Sequence, residues 1–229
     1  MIEELLPRTV VAVETHGDDG LHETAEALLF PEEAERVARA VPKRRREYAA
    51  VRACARRAME KLGVAPQPVL TGERGAPRWP EGLAGSMTHC DGYAAAALVR
   101  ASDLASLGID AEPRGPLPDG VLASVALPAE VQRLRLLASG HPEVPWDRVL
   151  FSAKESVYKA WFPLTGRWLD FAEADIDLRP DAGEATRGTL RAELLVAGPR
   201  VDGRTVQAFE GRWTVRRGLV ATAVTVPHT

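Results

Sequence analysis

The sequence predicts an α+β protein made of two lobes, each a small sheet packed on helices, and three observations support this prediction. β-Branched runs alternate with amphipathic helical stretches along both halves of the chain. The last two predicted strands meet at residues 216–218, as in an antiparallel hairpin. Residues 10–14 and 107–111 resemble each other loosely, so the lobes form a pseudo-symmetric pair. We assign residues 1–104 to an N-terminal lobe and residues 105–229 to a C-terminal lobe.

The elements of the N-terminal lobe follow from its prolines, its glycines and the spacing of its apolar residues. Proline favours the first turn of a helix, and apolar residues that recur every three or four positions predict a buried helical face. A β-branched or continuous apolar run between turn residues predicts a strand. The predicted elements are a strand at 9–13 that ends in a turn at 17–20, helices at 31–41 and 42–62, a glycine-punctuated loop at 72–85 and a buried strand at 92–99.

The C-terminal lobe follows the same rules, and its final strands favour an antiparallel sheet. A proline-rich stretch at 113–118 ends its first strand, and Pro163 marks the end of its second helix. The predicted elements are a strand at 107–112, helices at 129–138 and 149–161, and strands at 175–178, 189–196, 205–215 and 219–226.

Composition and charge exclude several classes of function. The chain has 229 residues and a formal net charge of −3, whereas a general nucleic-acid binder needs a strong basic excess. The longest uninterrupted apolar run, at 93–99, has seven residues, far fewer than the ~20 that cross a bilayer. The first residues lack the features of an export signal, and two cysteines cannot form a disulfide framework. We therefore predict a cytoplasmic protein with reduced thiols, no membrane span and no nucleic-acid partner.

Two carboxylates on a predicted strand are the first candidate site residues. Side chains alternate along a strand, so Asp110 and Glu112 lie on one face, while Ile109 and Ala111 lie on the other. If the acidic face lines a cleft, its like charges need a cation, and Mg²⁺ prefers oxygen ligands such as these. If the face is open, the pair is an ordinary solvated strand end. The spacing alone leaves both interpretations open.

The helix predicted at 149–161 offers a third carboxylate and two lysines. Glu155 and Lys159 lie one turn apart on one face, and Lys154 adjoins them. An isolated pair of this spacing is usually exposed and contributes little to stability. Here the aromatic neighbours require most of the helix surface to be buried, so we expect its charged side to line a crevice.

Arginines of the N-terminal lobe provide candidate anion contacts. Arg44 and Arg52 belong to a basic flank near the start of the helix at 42–62, where the helix dipole also favours an anion. At about 100° per residue, Arg44 shares the azimuth of Ala55 and Leu62 on the core side, and a core-facing arginine needs an anion. A solvated basic face is the alternative.

A second group of candidate anion contacts lies at residues 85–89, downstream of Arg74. This segment reads as a glycine-rich turn, and its hydroxyls, histidine and backbone amides suit a diphosphate or a ribose phosphate. Thr88 and His89 are the side chains that would take part. A histidine considered alone is more often a structural residue, so this signal is weak without the others.

In combination, four segments resemble the 4′-phosphopantetheinyl transferases of the Sfp and enterobactin type. They are the arginine helix, residues 79–89, the Gly-Ile-Asp-Ala-Glu strand at 108–112 and the Lys-Glu-Ser-Val-Tyr-Lys-Ala helix at 154–160. Residues 161–164 and 212–213 look most like the actinobacterial branch, which activates carrier proteins of polyketide, nonribosomal-peptide and lipid synthesis. The resemblance implies α+β lobes with coenzyme A in the cleft between them. It also implies transfer of phosphopantetheine to a carrier-protein serine, with release of adenosine 3′,5′-bisphosphate.

The resemblance assigns roles to individual residues. Asp110, Glu112 and Glu155 are similar to the family's Mg²⁺ site, for which Mn²⁺ is a second candidate. Glu155 is also the candidate base, unless a bound water or hydroxide takes the proton. Position 74 departs from the family, where lysine is frequent. The residues that look like coenzyme A contacts are Arg44 and Arg52 on the 3′-phosphate, Arg74, Thr88 and His89 around the nucleotide, and Lys154 and Lys159 on the phosphates, with Lys159 also steadying the leaving group.

Carrier proteins present their serine at the start of an acidic helix, so we expect an apolar patch ringed by basic residues at the mouth of the cleft. Arg133, Leu134, Arg135 and Leu136 are hypothetical contributors to this patch. Ordinary amphipathic packing of their helix is the alternative. Two lobes in one chain favour a monomer.

Three other functions remain open from the sequence. One is a different Mg²⁺-dependent nucleotide or phosphate-ester enzyme that uses the same acids. Another is a non-catalytic module that binds coenzyme A or a carrier protein. The third, hydrolysis by Ser86, His89 and Asp110, has least support because the sequence lacks a nucleophile elbow.

Overall fold

The chain folds into two principal antiparallel sheets covered by helices, which agrees with the predicted α+β class. The computed structural model describes residues 1–17 and 24–229, so most of the turn predicted at 17–20 lies outside the described residues. In chain order the elements are β1 (Val11–His16), α1 (Pro31–Val37), α2 (Pro42–Lys61), β2 (Leu70–Thr71), β3 (Pro77–Arg78), β4 (Leu83–Cys90), β5 (Tyr93–Arg100), β6 (Ser106–Pro113), α3 (Val121–Val125), α4 (Pro128–Gly140), α5 (Trp146–Thr165), β7 (Ala174–Asp181), β8 (Glu184–Leu194), β9 (Arg200–Val201), β10 (Arg204–Thr205), β11 (Ala208–Arg216) and β12 (Leu219–Val226).

Strand β5 is the centre of the first sheet, which has the order β1-β5-β4. Its residues 93–99 are buried, which explains why they read as an unbroken apolar run. Ala96 packs in one core with residues of α2, while Ala95 and Ala97 pack in a second core with residues of β6 and β12. The small alanine side chains allow both layers to approach the strand closely.

The second sheet has the order β6-β12-β11-β8-β7, and every neighbouring pair is antiparallel. Helix α5 packs over β6 and β12. The core between this sheet and helix α5 contains large aromatic side chains. Trp161, Phe209 and Trp213 are fully buried, and the ring of Trp146 meets that of Trp213 edge-on at 5.2 Å. None of the described helices is both long and apolar enough to cross a membrane.

The two sheets meet where β4 runs beside β6. The strands belong to different sheets, and side-chain hydroxyls take the place of a backbone ladder between them. The backbone N–H of Ile109 donates to Ser86 Oγ at 3.0 Å, and that of Ala111 donates to Thr88 Oγ1 at 3.1 Å. Strand β6 therefore lies at the boundary between the lobes, bonded to β12 on one edge and to β4 on the other.

The departures from the predicted elements have local causes. Residues 85–89 are the middle of β4 rather than a glycine-rich turn, because they pair in register with β5. Helix α5 continues through Pro163, since a proline in the last turn costs only one hydrogen bond, and it ends at Gly166 with a positive φ of 63°. The predictions omitted helix α3 and the two short hairpins β2–β3 and β9–β10.

Candidate active site

Strand β6 places two of the predicted carboxylates at the boundary between the lobes. Asp110 is buried in the middle of the strand, and Glu112 is half-buried near its end. Thr88 of β4 donates to Asp110 Oδ1 at 3.3 Å, and Thr222 of β12 is the ladder partner of Asp110. Both lobes thus contribute to the surroundings of Asp110.

Helix α5 brings a polar stripe to this strand. Arg148, Glu155 and Lys159 follow one another at spacings of seven and four residues, which places them on one side of the helix. Lys159 Nζ lies 2.8 Å from Asp110 Oδ1 and also donates to the carbonyl of Ile109 at 3.1 Å. The predicted pairing of this helix with the acidic strand is therefore present.

Sequence reasoning missed Arg148, which forms the second ion pair of the site. Its Nη1 donates to Glu112 Oε2 at 2.9 Å, and its other nitrogens donate to the carbonyls of Gly115 and Pro116. The available signal was its position seven residues before Glu155, which indicates the same face of α5.

The three carboxylates influence one another electrostatically. Burial raises the pKa of Glu155; Lys159 opposes that shift, and the charges of Asp110 and Glu112 add to it. Burial also raises the pKa of Glu112, as does the charge of Asp110, against the ion pair with Arg148. The three carboxylates therefore influence one another's charge, with Asp110 buried and Glu112 and Glu155 half-buried.

The chemistry of this donor set fits a divalent cation, although the side chains are not gathered into a metal centre. Within residues 1–17 and 24–229, no three His, Cys, Asp or Glu side chains stand close enough together to hold a metal ion. Asp110 Oδ1 and Glu112 hold Lys159 and Arg148 instead. Asp110 Oδ2, however, is buried and has no hydrogen-bond partner in this part of the chain. An orphaned carboxylate oxygen of this kind suits the hard oxygen coordination of Mg²⁺.

Arg44 and His89 contact each other, but Arg44 does not face the core as predicted. Its side chain is 52% exposed, because the first turn of α2 extends beyond the layer that packs on the sheet. Arg44 Nη1 donates to His89 Nε2 at 2.6 Å, so the imidazole is neutral, with its proton on Nδ1. Burial lowers the pKa of His89, and the charge of Arg44 lowers it further. Ser86 and His89 are three residues apart on β4, so their side chains lie on opposite faces of the strand and do not form the pair that a hydrolase would need.

Arg52 is placed differently from the predicted phosphate clamp. It is buried, and its guanidinium donates to the carbonyls of Tyr48 and Val69 and to the hydroxyl of Thr71. Burial lowers its pKa to about 10, which still leaves it charged at neutral pH. Arg52 therefore fastens α2 to the segment that leads into β2, and this arrangement does not fit a direct contact with coenzyme A.

Lys154 also has a different role from the one predicted. Its ammonium is buried and lies 2.9 Å from Glu130, and it donates to the carbonyls of Phe171 at 2.7 Å and Ala174 at 2.6 Å. Burial lowers the pKa of Lys154, and Glu130 opposes that shift. Three acceptors use the three protons of the ammonium, so the prediction of a phosphate contact does not fit this lysine.

A cavity of about 80 Å³ lies between α5 and the segment that follows it. Trp168 stands at this cavity with 55% of its surface exposed, 5.0 Å from the ring of Tyr158. The Arg74 guanidinium lies 5.5 Å from the Trp168 ring and so connects the lobes. Sequence reasoning missed the apolar character of this pocket; an exposed tryptophan soon after a helix end was the available signal. The cavity is lined by Lys154, Glu155, Val157, Tyr158, Trp168, Leu169, Asp170, Phe171 and Ala174.

Comparison with known proteins identifies the family. Residues 32–99 match the model of the 4′-phosphopantetheinyl transferase N-terminal domain, and residues 106–214 match that of the 4′-phosphopantetheinyl transferase superfamily.

Curated relatives agree with this match. The chain is 58% identical to 4′-phosphopantetheinyl transferase Svp of Streptomyces mobaraensis, over 99% of this chain and 89% of the relative. It is 48% identical to 4′-phosphopantetheinyl transferase PptT of Mycobacterium tuberculosis over 85% of each, and 45% identical to 4′-phosphopantetheinyl transferase Npt of Nocardia iowensis over 98% of this chain and 99% of the relative. The chain belongs to the 4′-phosphopantetheinyl transferases, the enzymes that transfer the phosphopantetheine arm of coenzyme A to carrier proteins.

Proposed function

We propose that coenzyme A binds at the lobe boundary with its diphosphate next to Asp110, Glu112 and Glu155, and that these residues hold Mg²⁺ there. The observation that carries this proposal is the buried Oδ2 of Asp110, which has no hydrogen-bond partner within residues 1–17 and 24–229, on a carboxylate whose charge helps to raise the pKa of Glu155. When bound, Mg²⁺ supplies positive charge that offsets the diphosphate and the clustered carboxylates. Mn²⁺ has the same preference for oxygen ligands and is the natural substitute.

The chain's own groups then have distinct roles in the transfer step. The serine hydroxyl of the carrier forms a new bond to the β-phosphorus, and the bond from that phosphorus to the bridging oxygen breaks. Glu155 takes the serine proton, because a carboxylate at the reacting hydroxyl can act as a general base. Lys159, which bonds to Asp110, steadies the charge that develops on adenosine 3′,5′-bisphosphate.

The nucleotide end of coenzyme A is assigned to the N-terminal lobe. Arg44 and His89 form an exposed pair that offers guanidinium protons to a 3′-phosphate. Arg74 lies across the boundary against Trp168, which lines the cavity next to α5, and its contact with the nucleotide is part of this proposal. Thr88 contributes to this site indirectly, because its hydroxyl donates to Asp110 and accepts from the backbone of β6.

The apolar cavity beside Glu155 is proposed to receive the pantetheine arm. The arm is long and mostly uncharged, and the cavity combines aromatic walls with the hydroxyl of Tyr158, which is buried without a partner among the described residues. We expect Trp168→Ala to raise the KM for coenzyme A about ten-fold, since an aromatic wall of the cavity is lost. Phosphopantetheine lacks the leaving group and would act as a competitive inhibitor; its inhibition constant should rise equally, and an unchanged constant would assign the arm elsewhere.

The carrier protein is proposed to dock on the exposed face of α4. Leu136 is 75% exposed, and Arg135 is exposed beside it. Arg133 is bound to Asp175, and Leu134 is buried, so these two do not fit the predicted patch. Arg135→Glu should raise the KM for the carrier and leave that for coenzyme A unchanged. Arg204→Glu on β10 is the matched control, and equal effects of the two changes would contradict docking on α4.

Intact-mass analysis of an apo carrier tests the site directly. The protein, coenzyme A and Mg²⁺ should add phosphopantetheine to the carrier, and chelation of the metal should stop the reaction. Glu155→Gln should lower kcat by about 10²-fold or more without changing the unfolding midpoint, because it removes the base and a metal ligand but keeps the shape of the side chain. Normal turnover by the Glu155→Gln enzyme would remove Glu155 from both roles.

Three further expectations, about the domain boundary, the oligomeric state and the location in the cell, belong with this proposal. The division at residues 104/105 falls between β5 and β6, which lie in different sheets. A monomer is proposed because one chain supplies both sides of the site, and light scattering tests it. A cytoplasmic location is proposed because the enzyme must share a compartment with its substrate, coenzyme A.

A further inference from the structure

Helix α5 rests on the second sheet through a cluster of buried hydroxyls. Ser152, Ser156 and Thr222 are each 0% exposed. Thr222 Oγ1 donates to the carbonyl of Ser152 at 2.9 Å. It lies 2.6 Å from Ser156 Oγ and 3.0 Å from Ser152 Oγ. Ser156 Oγ also donates to the carbonyl of Thr222 at 3.2 Å, so all three hydroxyls are paired with one another or with the backbone. We call these three residues the hydroxyl cluster.

Beside the cluster, the backbone of α5 touches the backbone of β6. A Cβ added to Gly108 would lie 2.0 Å from the carbonyl oxygen of Ser156, so only glycine allows this approach. One turn further along, Ser106 Oγ donates to the carbonyl of Ala160 at 2.8 Å. Directional hydrogen bonds fix the rotation and the height of a helix, whereas apolar contacts tolerate sliding.

The hydroxyl cluster lies within the catalytic stripe of the helix. Ser152 and Ser156 alternate with Glu155 and Lys159 at spacings of three and four residues, so they share one side of α5. On the sheet, Thr222 is the ladder partner of Asp110. A helix advances 1.5 Å and turns about 100° per residue, so a slip of one residue would carry Lys159 away from Asp110.

We propose that Ser152, Ser156 and Thr222 are positioning residues for the transfer reaction. They hold α5 at the one height and rotation that put Glu155 and Lys159 against Asp110. This inference rests on the proposed roles of Glu155 and Lys159. In the part of the chain that the structure describes, the three hydroxyls form hydrogen bonds with one another and with the backbone only, so they act through the neighbouring side chains.

Replacing Thr222 by valine removes the central hydroxyl and preserves the shape of the side chain. Thr222→Val should lower kcat about ten-fold or more, because small displacements of catalytic groups are costly, while the KM for coenzyme A stays within about two-fold. Thr222→Ser keeps the hydroxyl and should restore kcat to within about two-fold of the parent. The split between kcat and KM and the rescue by serine are effects that a loss of stability alone does not produce.

Thr214→Val is the matched control. Thr214 is a buried threonine on the adjacent strand β11; its hydroxyl donates to the carbonyl of Thr186 at 3.3 Å, and it follows Trp213, so it faces the other side of the sheet. Its kcat should be unchanged. Equal kcat values for the two valine variants at matched folded fraction would overturn the proposal.

Two further variants keep the test decisive. If Thr222→Val does not fold, Ser156→Ala is measured in its place and read by the same criteria. Glu155→Gln separates this proposal from the proposed function. An active Glu155→Gln enzyme contradicts the catalytic assignment and the positioning role with it. An inactive one, together with a fully active Thr222→Val enzyme, contradicts positioning alone.

Discussion

Helices α2 and α5 have the same length and a similar place in their lobes, yet their charged residues differ in burial and in role. Both have 20 residues and pack across a sheet. On α2, Arg52 and Arg56 are buried and both face the buried Glu33. On α5, Glu155 and Lys159 remain half-buried at the lobe boundary. Buried, paired charges hold this fold together, whereas the half-buried charges are the ones available to a ligand.

The contrast is tested most strongly at Glu33. Its carboxylate lies 2.8 Å from Arg56 and accepts from the backbone N–H groups of Phe30 and Val69. Glu33→Gln leaves two buried guanidinium groups without their counter-charge, so the free energy of unfolding should fall by about 3–5 kcal/mol. Urea unfolding measures this loss, and the exposed neighbour Glu32 provides the control as Glu32→Gln. If Glu33→Gln lowered the free energy of unfolding by less than about 1 kcal/mol, the Glu33–Arg56 pair would contribute no more than an exposed ion pair does. The charges of α2 and α5 would then not differ in their contribution to stability.

The two lysines of α5 repeat the comparison within one helix. Lys154→Met should lower the free energy of unfolding by about 3 kcal/mol, because Glu130 stays buried without its partner. Lys159→Met should lower kcat about 10²-fold, because a cation near the leaving group is lost. It also leaves the buried Asp110 without its cation, but its loss of stability should be smaller, because Lys159 is more exposed than Lys154. Unfolding curves and carrier modification, measured on both variants, separate a role in stability from a role in catalysis. If both variants lost activity in proportion to stability, the separation of roles would be wrong.

The elements with a strong period or an unbroken apolar run could be predicted from the sequence. The prolines and the three- and four-residue spacing located α2, and the seven apolar residues located β5. The alternation along β6 placed Asp110 and Glu112 together, and the helical spacing placed Lys159 with Glu155. These predictions succeed because local geometry alone decides them.

The failures concern properties that depend on packing partners. Strand β4 carries glycine and polar residues, and only its pairing with β5 makes it a strand. The helical spacing placed Arg44 on the core side of α2, but its side chain is 52% exposed, because the helix extends beyond the core at that point. The sequence alone does not distinguish the environment of Lys154 from that of Lys159. The position of Glu130 on helix α4 decides that Lys154 is the buried lysine.

Arg44 gives the next test, with an effect on binding and none on stability. Its side chain is half exposed and contacts His89 and Glu47 only at its tip. Arg44→Ala should raise the KM for coenzyme A about ten-fold, the cost of one charged hydrogen bond, and should leave the unfolding midpoint unchanged. Arg46→Ala, an exposed arginine of the same helix, is the control. An unchanged KM would show that Arg44 belongs to an ordinary solvated face of α2.

The smallest effect is expected at the surface pair of Arg216 and Glu4, which bonds as closely as the buried ones. Arg216 Nη1 lies 2.7 and 2.9 Å from the two carboxylate oxygens, but both side chains are well exposed to water. Arg216→Ala should lower the free energy of unfolding by about 0.5 kcal/mol or less, and added salt should reduce even that. The same urea assay that measures Glu33→Gln measures this change. A loss of several kcal/mol here would mean that short ion-pair distance, and not burial, determines what a charge contributes to this fold, and α2 and α5 would then differ only in the number of their ion pairs.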